Sequence, residues 1–399
     1  MTVWRSSGAV AVLGTGLALP GTPVATAALL DTLGSCLDKR GRAMAAAIAA
    51  RMGIETRHVG RLWHARAEGP APGCSNPNLA AAAVRAALAD AGLRASDLGY
   101  LIGHTATPAQ PLPGNIVFAA DQLGYPGPHI ELRQACTGFA NALMIAFGLL
   151  ARPGARPVAI VGSETGSVFL DPDRLTDRPD QLVNLVQMGD GAGAIVLGPA
   201  GSGRDNLHGA WFGAAGLDRS PGLLMRAGGS AATSGGEGPL LFDHDFAAII
   251  RHGAALFEAG MQASPELRAE DADWLIPHQV SGRIGRQLAR RFGLPAERFF
   301  VNADRVGNTG SAAIWIALAE LRAGLRTTTS KSAANCPSIV MVGEGGPSTS
   351  YTAGSTQDVH GAPARTITKR PGVPRGSRTL VLGAEATKYM HGGFCYVAG

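Results

Sequence analysis

The sequence predicts an α/β protein built from two similar halves, and three observations carry that reading. Short apolar runs at 8–13 (GAVAVL), 99–103 (GYLIG), 157–162 (PVAIVG) and 192–197 (AGAIVL) alternate with longer Ala/Leu-rich segments of helical period. Continuous apolar strands separated by helices imply sheets covered on both faces. Residues 93–106 (LRASDLGYLIGHTA) return at 267–280 (LRAEDADWLIPHQV) at a constant offset of 174, with half of the fourteen positions identical. The identities are Leu93/Leu267, Arg94/Arg268, Ala95/Ala269, Asp97/Asp271, Leu101/Leu275, Ile102/Ile276 and His104/His278. Finally, 399 residues, 46% hydrophobic and 16% charged, are enough for two large cores and exclude a disordered chain. The 55 glycines follow no three-residue period, so collagen is excluded as well.

The elements follow in order. The first apolar run ends at GTG (14–16), and residues 78–92 form a helix behind Asn76 and Pro77. The strand at 99–103 leads to His104, and the extended run from His129 ends at Cys136, where Gly138 opens a helix over 138–151. The repeat divides the chain into halves of about 1–200 and 201–355, with the Gly/Ser-rich stretch 201–238 linking them. Residues 356–399 stand outside both: 357–378 is polar, basic and rich in Pro and Gly, and TLVLG (379–383) could add one strand. The glycines of GTG and of GDGAG (189–193) read as structural turns, because GTG lacks the remaining spacing of G-x-G-x-x-G and GDGAG precedes a strand, whereas a dinucleotide loop follows a strand and opens a helix.

The charge is uneven. Lys and Arg number 35 against 30 Asp and Glu, giving +5, but residues 356–399 hold six basic and two acidic residues. The remaining 355 residues are therefore balanced, and the basic excess does not indicate a nucleic-acid partner. Five cysteines (Cys36, Cys74, Cys136, Cys336, Cys395) show no C-x-x-C spacing, so no metal site is expected and a reducing, cytoplasmic setting fits. The longest apolar run, Gly138–Ala151, falls short of the roughly 20 residues a membrane span needs. The run at 8–19 is explained by a first buried strand rather than a secretory signal.

Three places carry candidate chemistry. Cys136 sits at a strand-to-helix junction, where the helix dipole favours the thiolate and backbone N–H groups can face an oxyanion. A small buried residue at a tight turn would look the same. His278 follows the apolar strand WLIP, the end at which α/β folds place their sites, yet it could also cap the following helix. Asn308 lies in the Gly-flanked turn VGNTG, a position that usually serves backbone hydrogen bonding.

Together the opening strand with GTG, ARMGIETRH (50–58), QACTGFANAL, GSE (162–164), MGDGAGAIVL, DWLIPHQ and VGNTGSAA resemble the β-ketoacyl-acyl-carrier-protein synthase III family. The resemblance implies a thiolase-like αβαβα layered fold of two duplicated halves. It also implies a Cys136/His278/Asn308 triad, with the backbone of Cys136 and of Gly345 or Gly346 in GEGG holding an oxyanion. Acyl carrier protein or coenzyme A thioesters would be the substrates, with no cofactor, and the enzyme would be a homodimer. Arg51 and Arg283 match positions that approach the carrier protein or the coenzyme A nucleotide. Leu112, in QPLPG, matches the residue that lines the acyl pocket across the dimer interface. Two departures, Ala47 in place of a tryptophan and Val168 in place of an arginine, favour a donor on a carrier protein over coenzyme A.

The activity implied is acyl transfer to Cys136 followed by decarboxylative condensation with a malonyl-type thioester, priming a polyketide or specialised fatty-acyl pathway. The alternatives are acyl transfer to an alcohol or amine without decarboxylation, and a non-catalytic partner subunit that binds the carrier protein.

Overall fold

The structure is a computed structural model that describes residues 3–6, 8–34, 36–61, 69–170, 181–203, 205–214, 223–225, 242–244, 272–328, 338–344, 378–386 and 392–395. In chain order the N-terminal half contains β1 (Val3–Arg5), β2 (Val10–Ala18), β3 (Val24–Ala25), α1 (Thr26–Thr32), α2 (Lys39–Met52), β4 (Thr56–Arg57), α3 (Asn76–Ala91), β5 (Tyr100–His104), α4 (Asn115–Leu123), β6 (His129–Leu132), α5 (Gly138–Leu150), β7 (Val158–Glu164), α6 (Gly166–Phe169), α7 (Gln181–Gln187) and β8 (Gly191–Gly198). The C-terminal half adds β9 (Asp205–Ala214), β10 (Leu223–Met225), β11 (Phe242–His244), β12 (Trp274–Pro277), α8 (Ile284–Phe292), α9 (Ala303–Val306), α10 (Ala313–Thr328), β13 (Ser338–Glu344), β14 (Arg378–Ala386) and β15 (Gly392–Cys395).

The N-terminal strands run in the order β6-β5-β7-β8-β2. β5 pairs in parallel with β6 and β7, whereas β8 is antiparallel to both β7 and β2. The C-terminal strands run β12-β13-β14-β15-β9, and bonds between β2 and β9 join the two sheets. Leu275 of β12 makes a parallel bridge to Phe299, the counterpart of the β5–β6 pair. The repeat in the sequence is thus a repeat in topology, with His104 and His278 at the same end of corresponding strands.

The middle layer is formed by α5, apolar on nearly every face as a helix covered on two sides must be, and α10, buried from Ala313 to Leu318 before Glu320 and Arg322 follow. Trp315 of α10 is fully buried and meets Phe139 of α5 edge-on, with ring centroids 5.9 Å apart. Arg322 of α10 is buried but paired with Asp205 of β9 at 2.5 Å, which ties this layer to the seam between the halves.

Three expectations change. GTG and the GAG of GDGAG lie within β2 and β8, not in turns. A Cβ on Gly14 or Gly16 would collide with backbone carbonyls of α3, and one on Gly193 would lie 2.6 Å from the Ile316 nitrogen of α10. These glycines are sites of helix–strand close approach. The stretch 201–238, expected as a linker, contains β9, which forms the seam itself. The segment 356–399, set apart in the sequence, supplies two strands of the main sheet.

β14 has no counterpart in the N-terminal sheet. Its residues repeat those of β13 forty-one positions later: Ile339/Leu380, Val340/Val381, Met341/Leu382, Gly343/Ala384 and Glu344/Glu385 lie opposite one another in the parallel pair. Phe394 of β15 is opposed by Val342 of β13 and also by Gly383 of β14.

Candidate active site

The extended run through β6 ends in a single tight turn, Ala135–Thr137, before α5 begins. Ala135 takes φ +45°, a left-handed conformation that costs a non-glycine residue about 1–2 kcal/mol. The turn is held by the Thr137 hydroxyl, which donates to Gln134 O at 2.8 Å, and by the Ser311 hydroxyl, 3.1 Å from Ala135 O. This geometry places Cys136 in the wall of a small cavity of about 40 Å³ together with Ala106, Thr107, Glu164, Gln187, Met188, Leu223, Asn308 and Gly310.

The thiol does not follow the dipole argument. Burial, reinforced by the Glu164 carboxylate, pushes it up to about 12. A helix N-terminus contributes up to about 2 kcal/mol, whereas a rise from 9.0 to about 12 corresponds to about 4 kcal/mol. Desolvation wins, and the resting residue is a protonated thiol.

Asn308 enters the same cavity from the loop between α9 and α10. Its backbone N–H donates to Gln187 O at 2.6 Å and its carbonyl accepts from Gly189 N–H at 3.1 Å. The side-chain Oδ1 accepts the Gly310 N–H at 2.9 Å. That bond fixes the orientation of the amide and leaves Nδ2 without a partner among the described residues. The side chain therefore has the backbone-bonding role expected of an asparagine in this turn and retains an amide donor in a residue that lines the cavity.

His278 is buried just beyond β12, and burial pushes its imidazole down to about 4, so it is neutral at pH 7. It is not among the residues lining the cavity. Its loop is held by Gln279, whose Nε2 donates to Pro277 O at 2.7 Å and whose Oε1 accepts from Asn302 N–H at 2.9 Å. Cys136 and Asn308 thus line one cavity, and His278 is fixed just beyond the end of β12.

Glu164 is the cavity residue whose role the sequence did not reveal. It ends the buried strand β7, and a carboxylate closing an otherwise apolar run was the available signal. Burial raises its pKa, against the hydrogen bonds it accepts. Arg57 is a second such residue. Fully buried, it donates to the carbonyls of Leu185 and Val186 at the end of α7 and to Thr26 Oγ1, and so supports the stretch that carries Gln187 and Met188.

Residues 130–216 match the profile of 3-oxoacyl-[acyl-carrier-protein (ACP)] synthase III, and residues 262–336 match its C-terminal portion. The chain is 32% identical over 324 residues to the β-ketoacyl-[acyl-carrier-protein] synthase III of Rhizorhabdus wittichii, which covers 77% of this chain and 88% of the relative. The chain belongs to the β-ketoacyl-acyl-carrier-protein synthase III family. The corresponding Brucella canis protein is 36% identical over 284 residues, covering 68% of this chain and 80% of its own.

Solved structures share the thiolase fold. The synthase III of Pseudomonas aeruginosa superposes with a TM-score of 0.67 at 24% identity, covering 98% of both chains. A tetronic acid condensing enzyme does so at 0.72 and 25%, covering 98% of this chain and all of the other. The family is one of acyl-transferring condensing enzymes, a class of transferase.

Family membership gives context to the remaining expected residues. Arg51, at the end of α2, and Arg283, preceding α8, line one groove of about 640 Å³ with Arg286, Gln287, Arg290 and Leu294. Arg283 also donates to Ala50 O at 2.7 Å, which links α8 to α2. Leu112 lies away from the cavity and is 86% exposed. Gly345 and Gly346 fall outside the described residues, immediately after β13. Among the described residues no helix is long and apolar enough to cross a membrane.

Proposed function

We propose that the protein transfers an acyl group from a carrier-protein thioester to Cys136 and condenses it decarboxylatively with a malonyl-type thioester. The observation that carries this reading is the shared cavity, lined by the thiol of Cys136 and by Asn308, whose amide oxygen is bonded to Gly310 N–H and whose Nδ2 has no partner among the described residues. In the first half-reaction the Cys136 sulfur attacks the donor thioester while its proton passes to neutral His278 and on to the departing thiol. In the second, the malonyl thioester loses CO₂, and its carbonyl oxygen takes the developing enolate charge. The Nδ2–H of Asn308 and an N–H of His278 donate to that oxygen. The enolate carbon then attacks the acyl–Cys136 carbonyl, the Cys136 backbone N–H supports the oxyanion, and collapse releases the β-ketoacyl thioester and the Cys136 thiolate, which takes a proton from solvent to restore the thiol. Each step uses the chain's own groups and the two thioesters, without a cofactor.

The four arginines of the α2/α8 groove suit an acidic carrier protein and the phosphate of its prosthetic arm. The homodimer expected from the family would form at β6, an edge strand of the main sheet. Ile130, together with Val117 and Phe118 of α4 and the nearby Leu112, is exposed there.

The test supplies acyl and malonyl carrier proteins and follows intact mass and CO₂. An acyl adduct on the wild type but not on Cys136→Ala, followed by CO₂ release and a product longer by two carbons, supports the reading. Acyl transfer to an alcohol or amine without CO₂ overturns it in favour of plain acyl transfer. The absence of any adduct leaves a non-catalytic carrier-binding subunit.

A further inference from the structure

The buried carboxylate beside the nucleophile has a role that the triad does not cover. Glu164 Oε1 accepts from Ala106 N–H at 3.0 Å, Ser311 N–H at 3.2 Å and Ser311 Oγ at 2.5 Å. Oε2 is bonded to the hydroxyls of Thr107 and, at 3.4 Å, Thr105. Three segments around the cavity therefore converge on one side chain: 105–107 after β5, the nucleophile turn through Ser311, and 308–311 before α10. The packing is close, since a Cβ on Gly310 would lie 2.9 Å from Glu164 Cγ.

Ser311 is the link. Its hydroxyl lies within hydrogen-bond distance of both Glu164 Oε1 and Ala135 O, the carbonyl immediately before Cys136. The one hydroxyl proton is shared between the two oxygens in a three-centre bond, with the carboxylate the nearer acceptor. Ser311 is also three residues beyond Asn308. The side chain that anchors the nucleophile turn is thus in the same loop as the amide donor, and Glu164 holds it in place.

The second consequence is electrostatic. A buried carboxylate and a thiol lining one small cavity oppose the appearance of a second negative charge. The other titratable groups close to Glu164 are Asp190, a further buried carboxylate ahead of β8, and His104, which packs against Gly162. Burial holds His104 neutral, down to about 3, so it supplies no compensating charge.

Resting on the proposed condensation for its catalytic meaning, we propose that Glu164 is a positioning residue that locks the Cys136 turn to the Asn308 loop through Ser311. Its charge also opposes ionisation of Cys136 in the empty site.

The experiment compares wild type, Glu164→Gln, Glu164→Asp and Ser311→Ala, with Cys136→Ala as the blank. The pH dependence of iodoacetamide alkylation at Cys136, read by intact mass, reports ionisation of the thiol without any substrate. Glu164→Gln moves the alkylation midpoint down by about one pH unit or more, because the like charge is removed. Glu164→Asp and Ser311→Ala keep the charge and leave the midpoint in place. Ser311→Ala lowers condensation relative to acyl loading about 10- to 100-fold, because the two loops lose their link. An unchanged midpoint in Glu164→Gln overturns the electrostatic role, and an unchanged condensation-to-loading ratio in Ser311→Ala overturns the positioning role. If Glu164→Gln does not fold, Ser311→Ala alone decides the positioning role. A shifted midpoint with no CO₂ release in any variant supports the charge effect while refuting the proposed condensation, so the two readings fail separately.

Discussion

Replacement of Asn308 tests the arrangement of the cavity most directly. Its Oδ1 is committed to the Gly310 N–H, so only Nδ2 is available to an enolate oxygen. Asn308→Ala removes both bonds, whereas Asn308→Asp keeps an acceptor for Gly310 and removes only the donor. The aspartate also places a second carboxylate in a cavity that already contains Glu164. Loss of one preorganised donor costs about 10²–10³ in rate, or about 3–4 kcal/mol. On the proposed condensation the loss falls on decarboxylation alone, because loading of Cys136 develops no enolate. Single-turnover assays with pre-acylated enzyme and carboxyl-labelled malonyl carrier protein would measure CO₂ release, and intact mass would measure loading. Both variants should load within about threefold of wild type and decarboxylate at least 100-fold more slowly. Decarboxylation within about tenfold of wild type in Asn308→Asp would refute the assignment of Nδ2 as the donor.

Three further outcomes can be checked. His104 and His278 are held neutral by burial, at about 3 and about 4, below the ordinary 6.5 that the unfolded chain regains. The unfolded state therefore binds more protons as pH falls from 6.5, and each histidine lowers stability by about 2 kcal/mol at pH 5. Asp190, raised to about 6 by burial, acts in the opposite sense between 3.8 and about 6. Urea midpoints at pH 7 and pH 5 should accordingly differ less in His104→Asn than in wild type. Ala135→Val puts a β-branched residue at φ +45° and should destabilise by about 2 kcal/mol or more in thermal melts. Ala135→Gly should be nearly neutral, because relief of the backbone offsets the loss of a buried methyl. Arg286→Glu with Arg290→Glu should raise KM for an acyl carrier protein about tenfold or more at low salt, and leave kcat with a small acyl thioester unchanged.

Much of the fold was legible in the sequence because its strands are buried on both faces. The runs at 99–103 and 157–162 became β5 and β7, and the repeat placed His278 by analogy with His104. Cys136 was visible as the point where an extended run turns into helical periodicity. Glu164 remained hidden because a carboxylate ending an apolar strand looks like an ordinary polar boundary. Its five bonded donors come from residues 57 to 147 positions away. The protonation of the thiol was misread for a related reason: a helix N-terminus is local and visible, whereas burial is produced by distant segments. The glycines of β2 and β8 suggested turns because a pattern of glycines does not reveal which helix will press against them. Composition likewise concealed β9, whose polar and glycine residues resemble those of a loop.

β14 pairs in parallel with β13 on one side and with β9 on the other. Apart from the single Val342–Phe394 bridge to β15, it is the hydrogen-bonded route from β12 and β13 to the seam among the described residues. β12 ends at Pro277, immediately before His278. Residues 378–386 therefore tie the strand that carries His278 to the rest of the sheet, which makes them part of the frame of the site and not an appendage to it.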